Sequence, residues 1–295
     1  MSISTVMIIG AGQMGGGIAQ VMAAAGHKTF LNDVRMDVVQ NRLQFIEGIL
    51  AKDVEKGKIT EEDKKTTMEH LIPSVNIEDA AECDLVVEAI VENIDVKTKV
   101  FANLDQICKP ECILATNTSS ISITEIAATT KRPEKVIGMH FMNPVPVMEL
   151  VEVIRGIATS DETFEKIHQE SIVLGKRPVE VRDVPGFIAN RVLQVMINEA
   201  IYCLYEGVSS VEDIDTVMKL GANHRMGPLQ LADFIGLDVC LSILNVLHTG
   251  FGNPKYAPCP LLVNMVTAGY LGVKSGEGFY KYEQGNKELI ISNRF

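Results

Sequence analysis

His140 and Glu152 are the two side chains best suited to pass a proton between protein and ligand. The stretch joining them reads His140-Phe-Met-Asn-Pro-Val-Pro-Val-Met-Glu-Leu-Val-Glu152. His140 ends one apolar run (Val136, Ile137, Met139), and a second apolar run carries Glu152. Between them, Asn143-Pro-Val-Pro146 restricts φ and stops regular structure, so the turn folds the runs back toward each other. An imidazole beside a carboxylate has a fixed tautomer and a stabilised cation, which suits it to acid/base work. The bland alternative is a core histidine beside a strand glutamate, since structural ion pairs also perturb histidines. The surrounding elements favour chemistry.

At the N-terminus, Thr5-Val-Met-Ile-Ile9 is a short apolar run. Gly10-Ala-Gly12-Gln13-Met14-Gly15-Gly-Gly17 then opens a helical pattern through Ile18, Val21, Met22 and Ala25. This is the strand, glycine turn and helix of a dinucleotide-binding fold. Gly10 permits the tight turn, Gly12 lets backbone approach a pyrophosphate, and Gly15 lets helix and strand pack closely. The helix N-terminus offers free N–H groups and a positive dipole end to the phosphates. After Gly26, Lys28-Thr-Phe-Leu-Asn-Asp33 reads as a second strand ending in an acid, placed to accept hydrogen bonds from an adenine ribose. That acid favours NAD (as NAD or NADH) over NADP, whose 2′-phosphate would meet a carboxylate.

Residues 1–184 read as an α/β domain. Cys83–Ala89, Cys112–Thr116 and Lys135–Met139 are strands in a βαβ pattern, and Leu150–Ile154 and Pro178–Val181, joined by short connections, extend the sheet at an edge. Residues 36–70 are charged and helical in pattern, a hairpin carrying Lys52, Lys56, Lys58, Lys64 and Lys65. That arm is either a solvated face or a cradle for a phosphorylated ligand. Asp183-Val-Pro-Gly186 breaks the pattern, and residues 185–295 read as all-helical, with helical periodicity over Phe187–Tyr205 and Val211–Leu220 and a long apolar stretch, Pro228–Leu247. The expected fold class is therefore α/β: a Rossmann-type, doubly wound, mostly parallel sheet with a helical-hairpin insertion, followed by a second, all-helical domain. The apolar content of that second domain suggests that part of it packs on another subunit.

The chain has 295 residues, 46% hydrophobic and 22% charged, with net charge −11 and pI about 5.1. Acidity argues against a nucleic-acid partner. Neither a signal peptide nor an apolar run long enough for a membrane helix is visible. Six scattered cysteines form no complete metal site and fit free thiols in a reducing cytoplasm.

Thr116-Asn117-Thr-Ser119-Ser120 directly follows an apolar strand, where ligands bind in open α/β sheets, although serines there also cap helices. Asn190 stands early in the first helix of the second domain, placed to face a cleft between domains.

Together these residues match a known family. Gly10-Ala-Gly-Gln-Met-Gly15, Val87-Glu-Ala-Ile-Val-Glu92, Asn117-Thr-Ser-Ser120, His140-Phe-Met-Asn-Pro144, Pro185-Gly-Phe-Ile-Ala-Asn-Arg191, Met226-Gly-Pro228 and Gly276-Glu-Gly-Phe-Tyr280 occur in the family's order. Over nearly its whole length the chain resembles the bacterial 3-hydroxyacyl-CoA dehydrogenases, most closely the branch acting on 3-hydroxybutyryl-CoA. The resemblance implies NAD-dependent interconversion of (S)-3-hydroxybutyryl-CoA and acetoacetyl-CoA in short-chain acyl-CoA metabolism. It implies His140 as acid/base with Glu152 as its partner, and Ser119 and Asn190 as ligands of the substrate oxygens. It lines the NAD site with Gly10, Gly12, Gln13, Met14, Gly15, Asp33, Glu92, Lys97, Asn117, Ser119, Asn143 and Lys274. It brings Lys52 and Lys56 to the phosphates of coenzyme A, and it implies a homodimer through the helical domain. The sequence departs from the family pattern at Met142, where phenylalanine is common, at Arg225, where proline is usual, at Val273 and Glu277, where basic residues are usual, and at Ala257, where arginine is expected. None of these is the proton-transfer group. A dehydrogenase of the same fold acting on a free hydroxy acid would have no use for Lys52 and Lys56. A non-catalytic NAD-binding protein would have no use for an acid/base pair.

Overall fold

Strands buried on both faces are near-continuous apolar runs. Residues 6–9, 85–87 and 113–115 are such runs in the computed structural model, which describes residues 3–283, 285 and 288–295. The chain divides into two compact units, Met1–Val184 and Pro185–Phe295. The first contains β1 (Thr5–Ile9), α1 (Gln13–Ala24), β2 (Lys28–Asn32), α2 (Met36–Glu55), α3 (Glu61–His70), β3 (Leu71–Ser74), β4 (Leu85–Glu88), α4 (Ile94–Ile107), β5 (Ile113–Thr116), α5 (Ile123–Ala127), β6 (Val136–Phe141), β7 (Leu150–Arg155), α6 (Asp161–Val173) and β8 (Arg177–Arg182). The strands form one eight-stranded sheet in the order β3-β2-β1-β4-β5-β6-β7-β8. Pairing is parallel from β3 to β6, antiparallel between β6 and β7, and parallel between β7 and β8. The order reverses between β1 and β4, the point where open α/β sheets bind ligands.

Alternation along the strands assigns the functional groups to one face. Val6, Ile8, Leu85, Val87, Ala115, Met139, Phe141, Val151 and Val153 belong to one core cluster, shared with Ile18 and Met22 of α1, Ile46 of α2 and Ile167 of α6. Successive side chains in a strand point to opposite faces. Glu88, Thr116, His140 and Glu152 therefore all lie on the other face.

The helical arm is α2 and α3. α2 buries Val39, Ile46 and Leu50 and leaves its charged face to solvent. Thr60 and Asp63 close a reciprocal capping box at the start of α3. Three features depart from expectation. β3 was not expected: it is four residues long and contains Pro73, which a sheet tolerates at an edge. The connection from β7 to β8 is not short but carries α6, capped by Ser160, whose Oγ accepts from the Thr163 amide at 3.1 Å. β6 continues through His140 and Phe141, while β2 stops at Asn32, leaving Asp33 just beyond it.

The second unit contains α7 (Ala189–Tyr205), α8 (Val211–Thr216), α9 (Pro228–Ile235), α10 (Leu237–Phe251), α11 (Pro260–Thr267), β9 (Tyr280–Lys281) and β10 (Ile290–Ile291). The long apolar stretch is two helices bent by 96° at Gly236, whose φ of 102° suits glycine. No single helix among the described residues is long and apolar enough to cross a membrane. The unit is not purely helical, because β9 and β10 form a small antiparallel ribbon. Two buried carboxylates hold the segment leading into it. Asp233 accepts from the amides of Phe279 and Tyr280 at 3.0 and 2.9 Å and from the Tyr282 hydroxyl at 3.1 Å. Asp215 accepts from the amides of Leu229 and Gln230 at 2.8 and 3.0 Å and from the Tyr280 hydroxyl at 2.8 Å.

Burial pushes the Asp233 carboxyl up to about 6 from its ordinary 3.8, against the pull of its hydrogen bonds. The folded chain thus holds this proton more tightly than the unfolded chain. Stability from this group is fully present below about pH 4 and declines as pH rises toward 6. In urea titrations across that window, Asp233→Asn should remove on the order of 3 kcal/mol of this decline. Parallel wild-type and variant curves would refute the assignment.

Candidate active site

The antiparallel register of β6 and β7 sets His140 directly opposite Glu152. Nδ1 of His140 lies 2.8 Å from Oε2 of Glu152, and both residues are buried. A carboxylate there accepts the hydrogen bond that Nδ1 donates, which fixes the tautomer and the orientation of the ring. The intervening turn is tied down from below. Lys176, itself buried, donates to the carbonyl oxygens of Val145 and Met148 at 2.6 and 2.9 Å.

The loop after β5 reaches the same strand. Asn117 Oδ1 accepts from the Phe141 amide at 2.8 Å, so this side chain fixes the backbone next to His140. Glu92 gathers the rest of the loop. Its Oε1 accepts from the Thr118 hydroxyl at 2.6 Å, from the amides of Ser119 and Ser120 at 2.9 and 3.1 Å, and from their hydroxyls at 3.2 and 3.1 Å. Burial alone would raise the Glu92 carboxyl, but Lys97 and these donors outweigh it and hold it below the usual carboxylate range. Lys97 is almost wholly buried, with Nζ 2.7 Å from Glu88 and 3.3 Å from Glu92. Glu88 was not among the expected site residues. Its signal was a charge closing an otherwise apolar strand.

The glycine turn has the expected form. Gly10 has φ 104°, and a Cβ there would stand 2.6 Å from the Ala89 carbonyl oxygen. A Cβ on Gly15 would stand 1.7 Å from the Gly10 oxygen, whereas one on Gly12 would meet nothing within 4 Å. The turn is thus closed underneath and open above Gly12, at the start of α1, which fits an approaching pyrophosphate. Asp33 Oδ2 accepts from the Ala11 amide at 2.9 Å and braces the turn from β2. Gln13 Nε2 donates to Asn143 Oδ1 at 3.1 Å, joining the glycine turn to the proline turn. Met14 follows in α1 and packs on the core. Beside this turn opens a cavity of about 730 Å³, lined by Gly12, Gln13, Gly17, Arg42, Phe45 and Asn143 among others.

Two expected site residues fall in the second unit. Asn190 is in the first turn of α7, and Lys274 forms an ion pair with Asp238. Lys52 and Lys56 lie four residues apart at the end of α2, both exposed. The other lysines of the arm pair with acids: Lys58 with Asp53, Lys64 with Glu61 and Lys65 with Glu69. Among the described residues, no group of three His, Cys, Asp or Glu side chains is placed to hold a metal ion.

Residues 5–184 match the family model for the 3-hydroxyacyl-CoA dehydrogenase NAD-binding domain, and residues 186–282 match that for its C-terminal domain. The chain belongs to the 3-hydroxyacyl-CoA dehydrogenase family. A Bacillus subtilis protein named "probable 3-hydroxybutyryl-CoA dehydrogenase" is 58% identical over 284 residues, covering 96% of this chain and 99% of that one. A 3-hydroxybutyryl-CoA dehydrogenase of Bradyrhizobium diazoefficiens is 56% identical, covering 95% of this chain and 96% of its own. The crystal structure of (S)-3-hydroxybutyryl-CoA dehydrogenase from Ralstonia eutropha superposes with TM-score 0.94 at 48% identity, covering 96% of this chain and all of that one. The protein is thus an oxidoreductase whose N-terminal unit is the NAD-binding domain of this family.

The open space at Gly12 yields a clean test. Gly12→Val adds bulk where the fold leaves room. Its melting temperature should stay within a few degrees of wild type, while NADH affinity, read by fluorescence titration, should fall at least about tenfold. Unchanged affinity would move the pyrophosphate away from this turn.

Proposed function

We propose that this dehydrogenase interconverts (S)-3-hydroxybutyryl-CoA and acetoacetyl-CoA with NAD(H), within short-chain acyl-CoA metabolism in the cytoplasm. The observation that carries the reading is the buried His140–Glu152 pair at 2.8 Å, at the ligand-binding end of a family NAD-binding domain. The names of the relatives supply the substrate class. When bound, the nicotinamide would take the hydride as NAD in oxidation and supply it as NADH in reduction. In oxidation His140 takes the hydroxyl proton at Nε2, and Glu152 stabilises the resulting imidazolium. In reduction the imidazolium gives that proton to the ketone oxygen. Ser119 and Asn190 hold and polarise the reacting oxygen and the thioester carbonyl. Glu92, Lys97, Asn117, Asn143 and Lys274 complete the NAD site. Asp33 takes the adenine ribose and disfavours NADP, and Arg35 beside it is already paired with Asp37.

Lys52 and Lys56 share one helix face, exposed and without a carboxylate partner among the described residues, which suits them to the phosphates of coenzyme A. The helical unit carries the homodimer contact. Val192, Val208 and Val217 are each more than 60% exposed beside an apolar groove between α7 and α8.

Absorbance of NADH with acetoacetyl-CoA, repeated with NADPH and with free acetoacetate, tests the reaction. Rapid oxidation of NADH with the thioester alone is expected, and turnover of free acetoacetate instead would sink the proposal. His140→Ala should lower kcat by at least about a hundredfold while NADH still binds. Loss of NADH binding together with loss of fold would sink the role of His140. The double variant Lys52→Glu/Lys56→Glu should raise KM for acetoacetyl-CoA about tenfold or more with kcat near wild type. An unchanged KM would take the arm out of the site.

A further inference from the structure

Glu88 is fully buried, yet none of the chemistry above uses it. It closes β4 on the same sheet face as His140 and Glu152. Its register neighbour across β5 is Thr116, and that of Thr116 across β6 is Gly138, two residues before His140. The Glu88 carboxylate is saturated with donors. Oε1 accepts from the Ile90 amide and from Lys97 Nζ, both at 2.7 Å, and Oε2 accepts from the Thr116 hydroxyl at 2.7 Å. Lys97 therefore sits between two carboxylates, one buried and fixed, the other the Glu92 that gathers the amides and hydroxyls of Ser119 and Ser120. A buried ammonium without Glu88 would draw on Glu92 alone, and Glu92 would leave the serine loop to meet it.

We propose that Glu88 is a positioning residue for the reaction: by holding Lys97 it leaves Glu92 free to fix the Ser119 loop against the substrate. The inference rests on the reading of the site given above. It predicts that the loss of one buried carboxylate acts on catalysis through a serine to which it makes no bond. It also accounts for a carboxylate at a strand position where an apolar residue would be less costly to bury.

Glu88→Gln keeps shape and removes the charge. We expect kcat to fall on the order of a hundredfold, as for a misplacement of about 1 Å at a reacting centre. Introduced into Ser119→Ala, the same change should cost little more, because the route runs through that loop. A purely structural Glu88 would cost the same factor in both backgrounds, and that result, or unchanged kcat in Glu88→Gln, overturns the proposal. Should Glu88→Gln fail to fold, Glu88→Asp keeps the charge and draws the carboxylate back by one methylene from Lys97. A smaller loss of kcat that vanishes in Ser119→Ala supports the relay, and no loss, or an equal loss in both, overturns it. Hydrogen exchange separates this inference from the substrate assignment. If the wild-type protein does not turn over acetoacetyl-CoA, the function proposed above fails, yet either variant should still speed exchange at Ser119 and Ser120 without speeding it in β5. Exchange unchanged in the loop, or raised equally in β5, overturns the relay.

Discussion

The seventh strand runs against its neighbour, and the pairing of His140 with Glu152 depends on that reversal. Parallel strands need a crossover of a dozen or more residues, whereas antiparallel strands need only a tight connection, here residues 142–149. Directly opposed residues in an antiparallel pair bring their Cβ atoms within about 5 Å, close enough for an imidazole and a carboxylate to meet without other adjustment. The turn that makes the reversal is held from three sides. Lys176 binds its carbonyl oxygens, Gln13 binds Asn143, and Gly17 of α1 leaves room where a Cβ would stand 2.9 Å from Val145. The glycine turn and the proline turn are thus one assembly, and the cofactor-facing end of α1 is fixed relative to the acid/base pair.

A sheet covered on both faces leaves its polar side chains no water to bind, so each must find a partner inside the protein. Glu88, Thr116, His140 and Glu152 satisfy this condition along one face. Among their partners are Lys97, the amides of Ile90 and Thr118, and each other. Replacing a buried ion pair by apolar residues is often neutral or stabilising, so such pairs are poorly explained as a source of stability. What they supply here is fixed orientation at the carboxyl ends of the strands.

Much of this was legible in the residues. The glycine turn, the two apolar runs around the prolines and the break at Pro185-Gly186 carry their meaning locally, because turn chemistry depends on neighbours in sequence. The edge strand Leu71–Ser74 was not legible, since four residues with a proline give no period. The helix Asp161–Val173 was not expected, although Ser160 as its cap and the spacing of Phe164 and Ile167 carry its signal between the two strand patterns. At the site, His140 and Glu152 stood out as residue types. Glu88 did not, because its meaning comes from Lys97 nine residues on and Thr116 twenty-eight residues on, distances that only the folded register resolves.

The end of the chain shows the same limit in another form. Residues 276–282 lack the apolar period of a helix, and their backbone amides need acceptors once they are buried against α9. Asp233 accepts from the amides of Phe279 and Tyr280, at a cost visible in its raised carboxyl, and Asp215 accepts from the Tyr280 hydroxyl. That solution leaves no volume for side chains where the carboxylates pass. A Cβ on Gly278 would stand 2.0 Å from Asp233 Oδ1, and one on Gly227 would stand 2.1 Å from the carboxyl carbon of Asp215. In sequence the glycines of Met226-Gly-Pro228 and Gly276-Glu-Gly-Phe-Tyr280 look like turn residues. In the fold Gly276 is a turn residue, with φ 81°, but Gly227 and Gly278 are the clearance that lets two buried carboxylates reach the backbone. The two motifs therefore belong to one packing problem, although about fifty residues separate them in the chain.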